Sequence, residues 1–294
     1  MSHEPPVVGT VRRDEPLAAH TTWRVGGPAD IFFVPATVAA LGPFLAAHQE
    51  VPLFWLGLGS NTLVRDGGIR GAVIATAGGL GALGHEAALV YAEAGVPCAK
   101  LARFCAQSGR LGLEFLAGIP GTVGGALAMN AGAAGSQIWD YVAFVETVDR
   151  AGCVRRRPPA DFRIRYRSVT GPDGEWFVSV RLSLPAGASE VGKARIREHL
   201  ALRKRTQPTQ TANAGSVFRN PPGDYAARLI EGAGLKGLRE GGAVVSEHHA
   251  NFIVNEGDAR AQDIERLILR VQDRVRTETG ITLEPEVCIV GEPS

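Results

Sequence analysis

Between residues 30 and 75 short apolar runs flank a single helical pattern. "DIFFVPAT" predicts a strand ending at Pro35, "TVAALGPFLAAHQE" a helix, "VPLFWLG" a second strand and "GAVIATA" a third, together a small β-α-β unit. "LVYAEAGVP" then predicts a strand, and "CAKLARFCAQSGR" an amphipathic helix stopping near Gly109. The stretch "LEFLAGIPGTVGGALAMNAGAAGSQIWDYV" has no clean period. Strands are predicted in "YVAFVETVD", "CVRRRP", "FRIRYRSV" and "WFVSVRLSLP", followed by a linker at Pro185–Gly187 and a charged helix in "SEVGKARIREHLALRKRTQ". Beyond it lies a polar turn, "NAGSVFRNPP", with Asp224 as the expected cap of a helix near 224–233. "ANFIVNE" predicts a strand. The strongest amphipathic pattern, "DARAQDIERLILRVQDRVRTETG", predicts a helix capped by Asp258 and ended by Gly280, before a last strand in "TLEPEVCIVG". There is no internal repeat or low-complexity tract.

Bulk composition narrows the class. At 294 residues the chain exceeds one ordinary core, which predicts two or three domains. Hydrophobic content of 45% and charged content of 21% are those of a soluble globular protein. A net charge of +1 argues against an extended nucleic-acid footprint. No apolar run reaches the roughly 18–20 residues of a membrane span, and "MSHEPPVVGTVRRDEP" lacks a signal-peptide core, so a cytoplasmic protein is expected. The spacing of Cys98, Cys105, Cys153 and Cys288 fits no zinc knuckle or C-x-x-C pair, which predicts buried, reduced thiols and no metal.

Glycine is the unusual residue, with 37 in the chain, 18 of them between Gly57 and Gly135. In "WLGLGSNTLVRDGG", Gly57 and Gly59 followed by Ser60 and Asn61 would present bare backbone N–H groups to an anion. Thr62 stands where a dinucleotide fingerprint would need a third glycine, and a P-loop's G-K-[ST] is absent. "GIPGTVGGALAMNAGAAG" adds Gly118, Gly121, Gly124, Gly125, Gly132 and Gly135. A tight loop between packed elements would explain one such stretch. Two in one half-chain favour backbone approach to a cofactor diphosphate. In "FRIRYRS", a strand would put Arg163, Arg165 and Arg167 on one face, and in "TLEPEV" Glu284 and Glu286 would share a face. Ser216 sits in the polar turn, but Ala214 breaks the G-x-S-x-G elbow of a serine nucleophile.

The segments "HTTWRVGGPAD", "GLGSNTLV", "LEFLAGIPGTVGGALAMNAGA", "YRS", "NAGSVFRNP", "HANF" and "LEPEV" occur in an order that resembles the UDP-N-acetylenolpyruvoylglucosamine reductases, from about residue 20 to Gly291. The resemblance implies an α+β fold: an FAD-binding region of the vanillyl-alcohol oxidase type in two subdomains, 1–75 and 76–186, and a C-terminal α+β substrate domain, 187–294. The short run from Arg167 to Pro185 resembles the subclass without the long substrate-covering loop. It implies reduction of UDP-N-acetylglucosamine enolpyruvate to UDP-N-acetylmuramate for peptidoglycan precursors, with non-covalent FAD, NADPH as co-substrate, and a monomeric protein with no nucleic-acid or membrane partner. Hydride would pass from flavin N5 to the enolpyruvyl group, the proton would come from Ser216, and Arg167 and Glu286 would stabilise the developing charge. The same resemblance implies flavin contacts from Gly57, Gly59, Ser60, Asn61, Thr62, Gly118, Pro120, Gly121, Gly124, Gly125, Asn130 and Gly132. Substrate contacts would come from Tyr166, Asn220 and His249. Ala134 departs from the pattern, since many members carry Tyr there. His20 invites a covalent flavin link, which the family does not use. The alternative within the fold is another FAD-dependent oxidase or dehydrogenase. A serine hydrolase fails on the elbow, and a non-catalytic nucleotide-binding module would have no use for Arg167, Ser216 and Glu286 together.

Overall fold

The computed structural model describes residues 8–294, so the first seven residues of the N-terminal stretch lie outside the described part. Contacts group the described residues into two units. One comprises those up to Arg13 with Ile31–Gly57 and Gly71–Ala201; the other comprises Asp14–Asp30, Leu58–Arg70 and Leu202–Ser294. Mixed helices and largely antiparallel strands make the chain α+β.

In the first unit the β-α-β unit is present. Helix α1 (Leu41–Ala47) buries Leu41, Phe44 and Leu45, and Phe44 stacks on Phe33 with ring centroids 4.0 Å apart. The strand Leu53–Leu56 runs parallel to Ala72–Ala75. A five-stranded antiparallel sheet follows, ordered Val154–Arg157, Val142–Asp149, Glu175–Leu182, Leu89–Glu93, Leu83–Glu86. Against it packs α2 (Cys98–Gln107), which buries Cys98, Leu101, Ala102, Cys105 and Ala106, the 3-and-4 spacing of one helical face. Burial pushes the thiols of Cys98 and Cys105 up to about 12, so both stay protonated. Cys153 and Cys288 are exposed, contrary to the expectation of four buried thiols.

The period-less glycine stretch is a chain of short elements: a 3-10 turn (Glu114–Gly118), α3 (Val123–Ala128) and a hairpin pairing Gly132–Ala133 with Ser136–Gln137. The hairpin turns on Ala134 (φ 54) and Gly135 (φ 83), the left-handed pair of a type I′ turn. "FRIRYRSV" is likewise a hairpin, Arg163–Arg165 with Ser168–Thr170, and not one strand. Arg167 therefore leaves the stripe of Arg163 and Arg165 and sits in the turn at φ 53. Pro185–Gly187 is no free linker, since Pro185 O accepts from Leu111 N–H and Gly187 N–H donates to Gly109 O. The division between Ala201 and Leu202 falls inside α4 (Ser189–Thr206).

The second unit is built on a three-stranded antiparallel sheet, Arg239–Glu240, Ala243–Val245 and Ile253–Asn255, and a parallel pair, Thr62–Val64 with Cys288–Val290. Trp23, fully buried, donates from Nε1 to Ile253 O, and Asn255 Nδ2 donates back to Trp23 O, both at 2.8 Å. The last predicted strand is regular only over Cys288–Val290. Helix α5 (Ala226–Gly232) is capped by Asn220 Oδ1, which accepts from Ala226 N–H at 3.1 Å. The expected cap, Asp224, binds Tyr225 N–H and pairs with Arg228. Helix α6 (Ala261–Thr279) buries Ile264, Leu267, Ile268, Val271 and Val275 and ends on Gly280 at φ 73. Its start is held by the Asp66 carboxylate, which accepts from Ala261 and Gln262 N–H at 3.0 Å each, and by Asp263 on Arg260 N–H; Asp258 is not the cap. Asp66→Ala is expected to lower stability by about 1–2 kcal/mol, the cost of an N-terminal cap that also carries favourable charge. Asp66→Asn should recover part of it, as read by urea denaturation.

Candidate functional site

In the first unit the two glycine stretches converge on a cavity of about 280 Å³ lined by Trp55, Gly57, Gly124, Gly125, Glu175 and Trp176, among others. A Cβ on Gly57 would stand 2.5 Å from Thr122 Oγ1, and one on Gly124 2.9 Å from Ala94 Cβ, so neither position tolerates a side chain without a shift. Gly121 holds φ 140, and its carbonyl accepts from Cys98 N–H at 3.0 Å. Gly118 and Pro120 lie on the same loop, after the 3-10 turn that ends at Gly118. Thr122 is 1% exposed, and its Oγ1 has no hydrogen-bond partner among the described residues. Sequence reading missed it. A threonine directly before a helix without a reciprocal cap is the signal that would have found it.

Asn130 lies nearby in the chain, left-handed at φ 44 and buried. Its Nδ2 donates to Gln137 Oε1 (2.7 Å) and Arg165 O (3.0 Å), while Oδ1 is buried without a partner. Orphaned polar atoms of this kind are costly unless a bound group completes them. Gly132 O accepts from Arg167 Nη2 at 2.9 Å, which ties the expected carboxylate-binding arginine to the glycine hairpin. Tyr166 is 58% exposed, and its ring lies 5.2 Å from the Arg167 guanidinium carbon.

The second unit brings together residues far apart in sequence. Gly59 (φ 60) passes so close to His20 that a Cβ would meet its carbonyl at 2.3 Å. His20 itself is paired with Glu15 through Nε2 at 2.8 Å. Ser60 follows, half-buried. Asn61 Nδ2 donates to Glu286 O at 3.0 Å, Asn61 O accepts from Cys288 N–H at 2.9 Å, and Thr62 pairs with Cys288. The Asn61 carboxamide, read from sequence as part of an anion cradle, thus holds the chain at Glu286. Glu286 N–H donates to Val217 O at 2.7 Å and Arg219 N–H to Glu284 O at 2.9 Å, with Phe218 bridged to Pro285. Ser216 and Glu286 therefore stand on paired segments, and the pairing of Glu284 and Glu286 is to residues 217–219, outside any long strand. The turn at Ser216 is set by Asn213, whose Oδ1 accepts from Gly215 N–H at 3.0 Å while Gly215 turns through φ 75. Asn220 is exposed apart from its capping oxygen, and His249 is half-buried.

The His249 segment is a closed loop. Ser246 N–H donates to Phe252 O (2.8 Å), Ser246 Oγ accepts from the N–H groups of His248 and His249, and His249 Nδ1 accepts from Asn251 N–H (3.3 Å). An accepting Nδ1 requires the neutral ring. Burial, foremost, pushes the His249 pKa below the ordinary histidine value.

A family model described as FAD binding domain matches residues 29–157, and one described as UDP-N-acetylenolpyruvoylglucosamine reductase, C-terminal domain, matches residues 207–290. Two curated proteins named UDP-N-acetylenolpyruvoylglucosamine reductase are each 58% identical to this chain. That of Alkalilimnicola ehrlichii covers 97% of this chain and 96% of its own, and that of Methylococcus capsulatus 98% and 95%. The crystal structure of UDP-N-acetylenolpyruvylglucosamine reductase from Thermus caldophilus aligns with a TM-score of 0.83 at 36% identity, covering 96% of this chain and 99% of that one.

Because the folded pKa of His249 is depressed, the unfolded chain takes up the proton first as pH falls below about 6.5. Stability present above that pH is lost toward the folded pKa. His249→Gln should flatten this acid slope, measured as the difference between variant and parent melting temperatures at pH 7.5 and 5.5.

Proposed function

The chain belongs to the UDP-N-acetylenolpyruvoylglucosamine reductase family, and on that premise we propose how its residues divide the work. It is an FAD-dependent oxidoreductase that reduces the enolpyruvyl group of UDP-N-acetylglucosamine enolpyruvate in peptidoglycan precursor synthesis. In our reading NADPH is the electron source, the product is UDP-N-acetylmuramate, and the protein works as a cytoplasmic monomer; among the described residues no helix is long and apolar enough to cross a membrane. We propose flavin subdomains 1–75 and 76–186 and a substrate domain 187–294; the family matches on 29–157 and 207–290 fall on the flavin part and the substrate part.

When bound, without a covalent link, FAD would supply hydride chemistry from its N5 toward the terminal carbon of the enol ether. The residues that would hold it are Gly57, Gly59, Ser60, Thr62, Gly118, Pro120, Gly121, Thr122, Gly124, Gly125, Asn130 and Gly132. The bare approaches at Gly57 and Gly124 and the unpartnered atoms of Thr122 and Asn130 support the fit. Arg167 offers the substrate carboxylate a planar, permanently charged fork, oriented by its bond to Gly132 O. Tyr166, Asn220 and His249 would contact the sugar nucleotide.

Hydride addition leaves an electron pair on the carbon beside the carboxylate. Arg167 and Glu286 stabilise that enolate-like charge. Ser216 Oγ gives its proton to this carbon, forming the C–H bond, and the alkoxide is reprotonated from solvent. A serine hydroxyl is a weak acid, so it contributes by placement. The observation that carries this assignment is the 2.7 Å bond from Glu286 N–H to Val217 O, which puts the charge-stabilising and proton-donating residues on adjoining segments.

Two variants test the reading. Ser216→Ala should leave flavin reduction by NADPH within about twofold and slow reoxidation by the enolpyruvyl substrate by at least ~10²-fold, the usual weight of a general acid; rapid reaction of the two half-reactions separates them. Thr122→Val removes an orphaned hydroxyl while keeping the side chain's shape. Flavin-free protein should keep or gain stability, by about 1 kcal/mol, while retention of FAD on gel filtration falls. Unchanged FAD content would remove Thr122 from the flavin site.

A further inference from the structure

We infer that Asn251 is a positioning residue for proton transfer, fixing the segment that carries Ser216 against the one that carries Glu286. This rests on the proposed role of Ser216. Residues 217–219 pair with 284–286 through Glu286 N–H to Val217 O and Arg219 N–H to Glu284 O. Phe218 and Pro285 face each other as the pair that exchanges no main-chain bonds, so the N–H and C=O of Phe218 point to the other edge. Phe218 satisfies its own groups elsewhere. Its N–H donates to Asn251 Oδ1 at 2.9 Å, and its carbonyl accepts from Asn251 Nδ2 at 2.8 Å. The Asn251 main-chain carbonyl adds a third bond, from Val217 N–H at 2.9 Å. One side chain thus takes the place of a neighbouring strand, two residues beyond Ser216.

The chemistry requires a carboxamide. It must accept from an N–H and donate to a C=O of the same residue, and among side chains of this length asparagine does both without taking up a proton. Asn251 is 4% exposed, so water does not substitute. Its own N–H is taken by His249 Nδ1, so it cannot slide along the segment. A donor of ordinary serine acidity acts only when correctly placed, and a misplacement of about 1 Å costs on the order of 10²-fold. Asn251 therefore governs the rate of a step whose reacting atoms it does not touch.

Asn251→Asp is the test, made on the FAD-loaded protein. It keeps the shape and the acceptor. When ionised, it sets an oxygen against the Phe218 carbonyl; when protonated, its O–H donates there and both bonds return. Flavin reduction by NADPH should stay within about twofold of the parent. Reoxidation by the enolpyruvyl substrate should slow by roughly 10–100-fold at pH 8 and recover relative to the parent as pH falls toward 5.5. Glu247, His248 and His249 on its own loop, Arg219 on the segment it bonds, and Glu284 and Glu286 on the segment paired with that one are the ionisable groups around Asn251. Both proteins carry them, so the ratio at each pH isolates the new carboxyl. Parent-like reoxidation at pH 8, or equal loss of both half-reactions without acid recovery, would overturn the inference. If the aspartate variant does not fold, Asn251→Ser decides on the same comparison: selective loss of reoxidation supports the inference, and equal loss or none refutes it. Ser216→Ala run in parallel separates the two readings. Intact reoxidation in Ser216→Ala sinks the proton-donor role itself, whereas slow Ser216→Ala beside fast Asn251→Asp sinks only the positioning role.

Discussion

Both main-chain groups of Glu286 are committed: its N–H to Val217 and its carbonyl to the Asn61 carboxamide. Three stretches far apart in the chain, at residues 61, 217 and 286, meet at that one peptide unit. Together the two bonds fix the main chain at Glu286 and one side of the segment that follows Ser216. The parallel pairing of Thr62–Val64 with Cys288–Val290 continues the same clasp, and the buried face of α6 packs beneath the sheet of this unit. Each buried aliphatic on that helix contributes roughly 1.5–3 kcal/mol, so the segments proposed to carry the chemistry rest on a well-filled core.

The first unit follows a different economy. Arg167, Asn130 and Ala134 hold left-handed backbones that cost of order 1 kcal/mol or more each. Thr122 and Asn130 also keep polar atoms unpartnered. Such features persist only where surrounding structure enforces them, and they gather on the segments assigned to the flavin and the substrate carboxylate. A protein of this build trades stability for a preset surface.

Local pattern made the long elements legible. Helix α6 was readable because its apolar residues recur at helical spacing and Gly280 ends it; the strand Glu175–Leu182 was readable from its β-branched and aromatic content. The arginine stripe was misread because its turn is Tyr166–Arg167, without the glycine or asparagine that usually marks one. Caps were misread wherever the acceptor was distant: Asp66 reaches α6 across nearly two hundred residues, and no window around Asp258 contains that information. The residues proposed for the chemistry carry no local signature either. Ser216, Arg167 and Glu286 were reached through family resemblance, and the carboxamides of Asn61 and Asn251 acquired roles only once backbone partners far away in sequence were visible. Segments 14–30 and 58–70 join the C-terminal unit for the same reason.

The cysteines have a practical consequence. Cys98 and Cys105 are sealed in the first unit's core and too weakly acidic to react. Cys153 and Cys288 are exposed, one in each unit, and burial of its surroundings raises the Cys288 thiol. An electrophilic dye will therefore attach to Cys153 and Cys288 and spare the two buried thiols. The native chain thus offers one addressable probe position per unit without any engineered thiol, which suits it to distance spectroscopy in the unaltered enzyme.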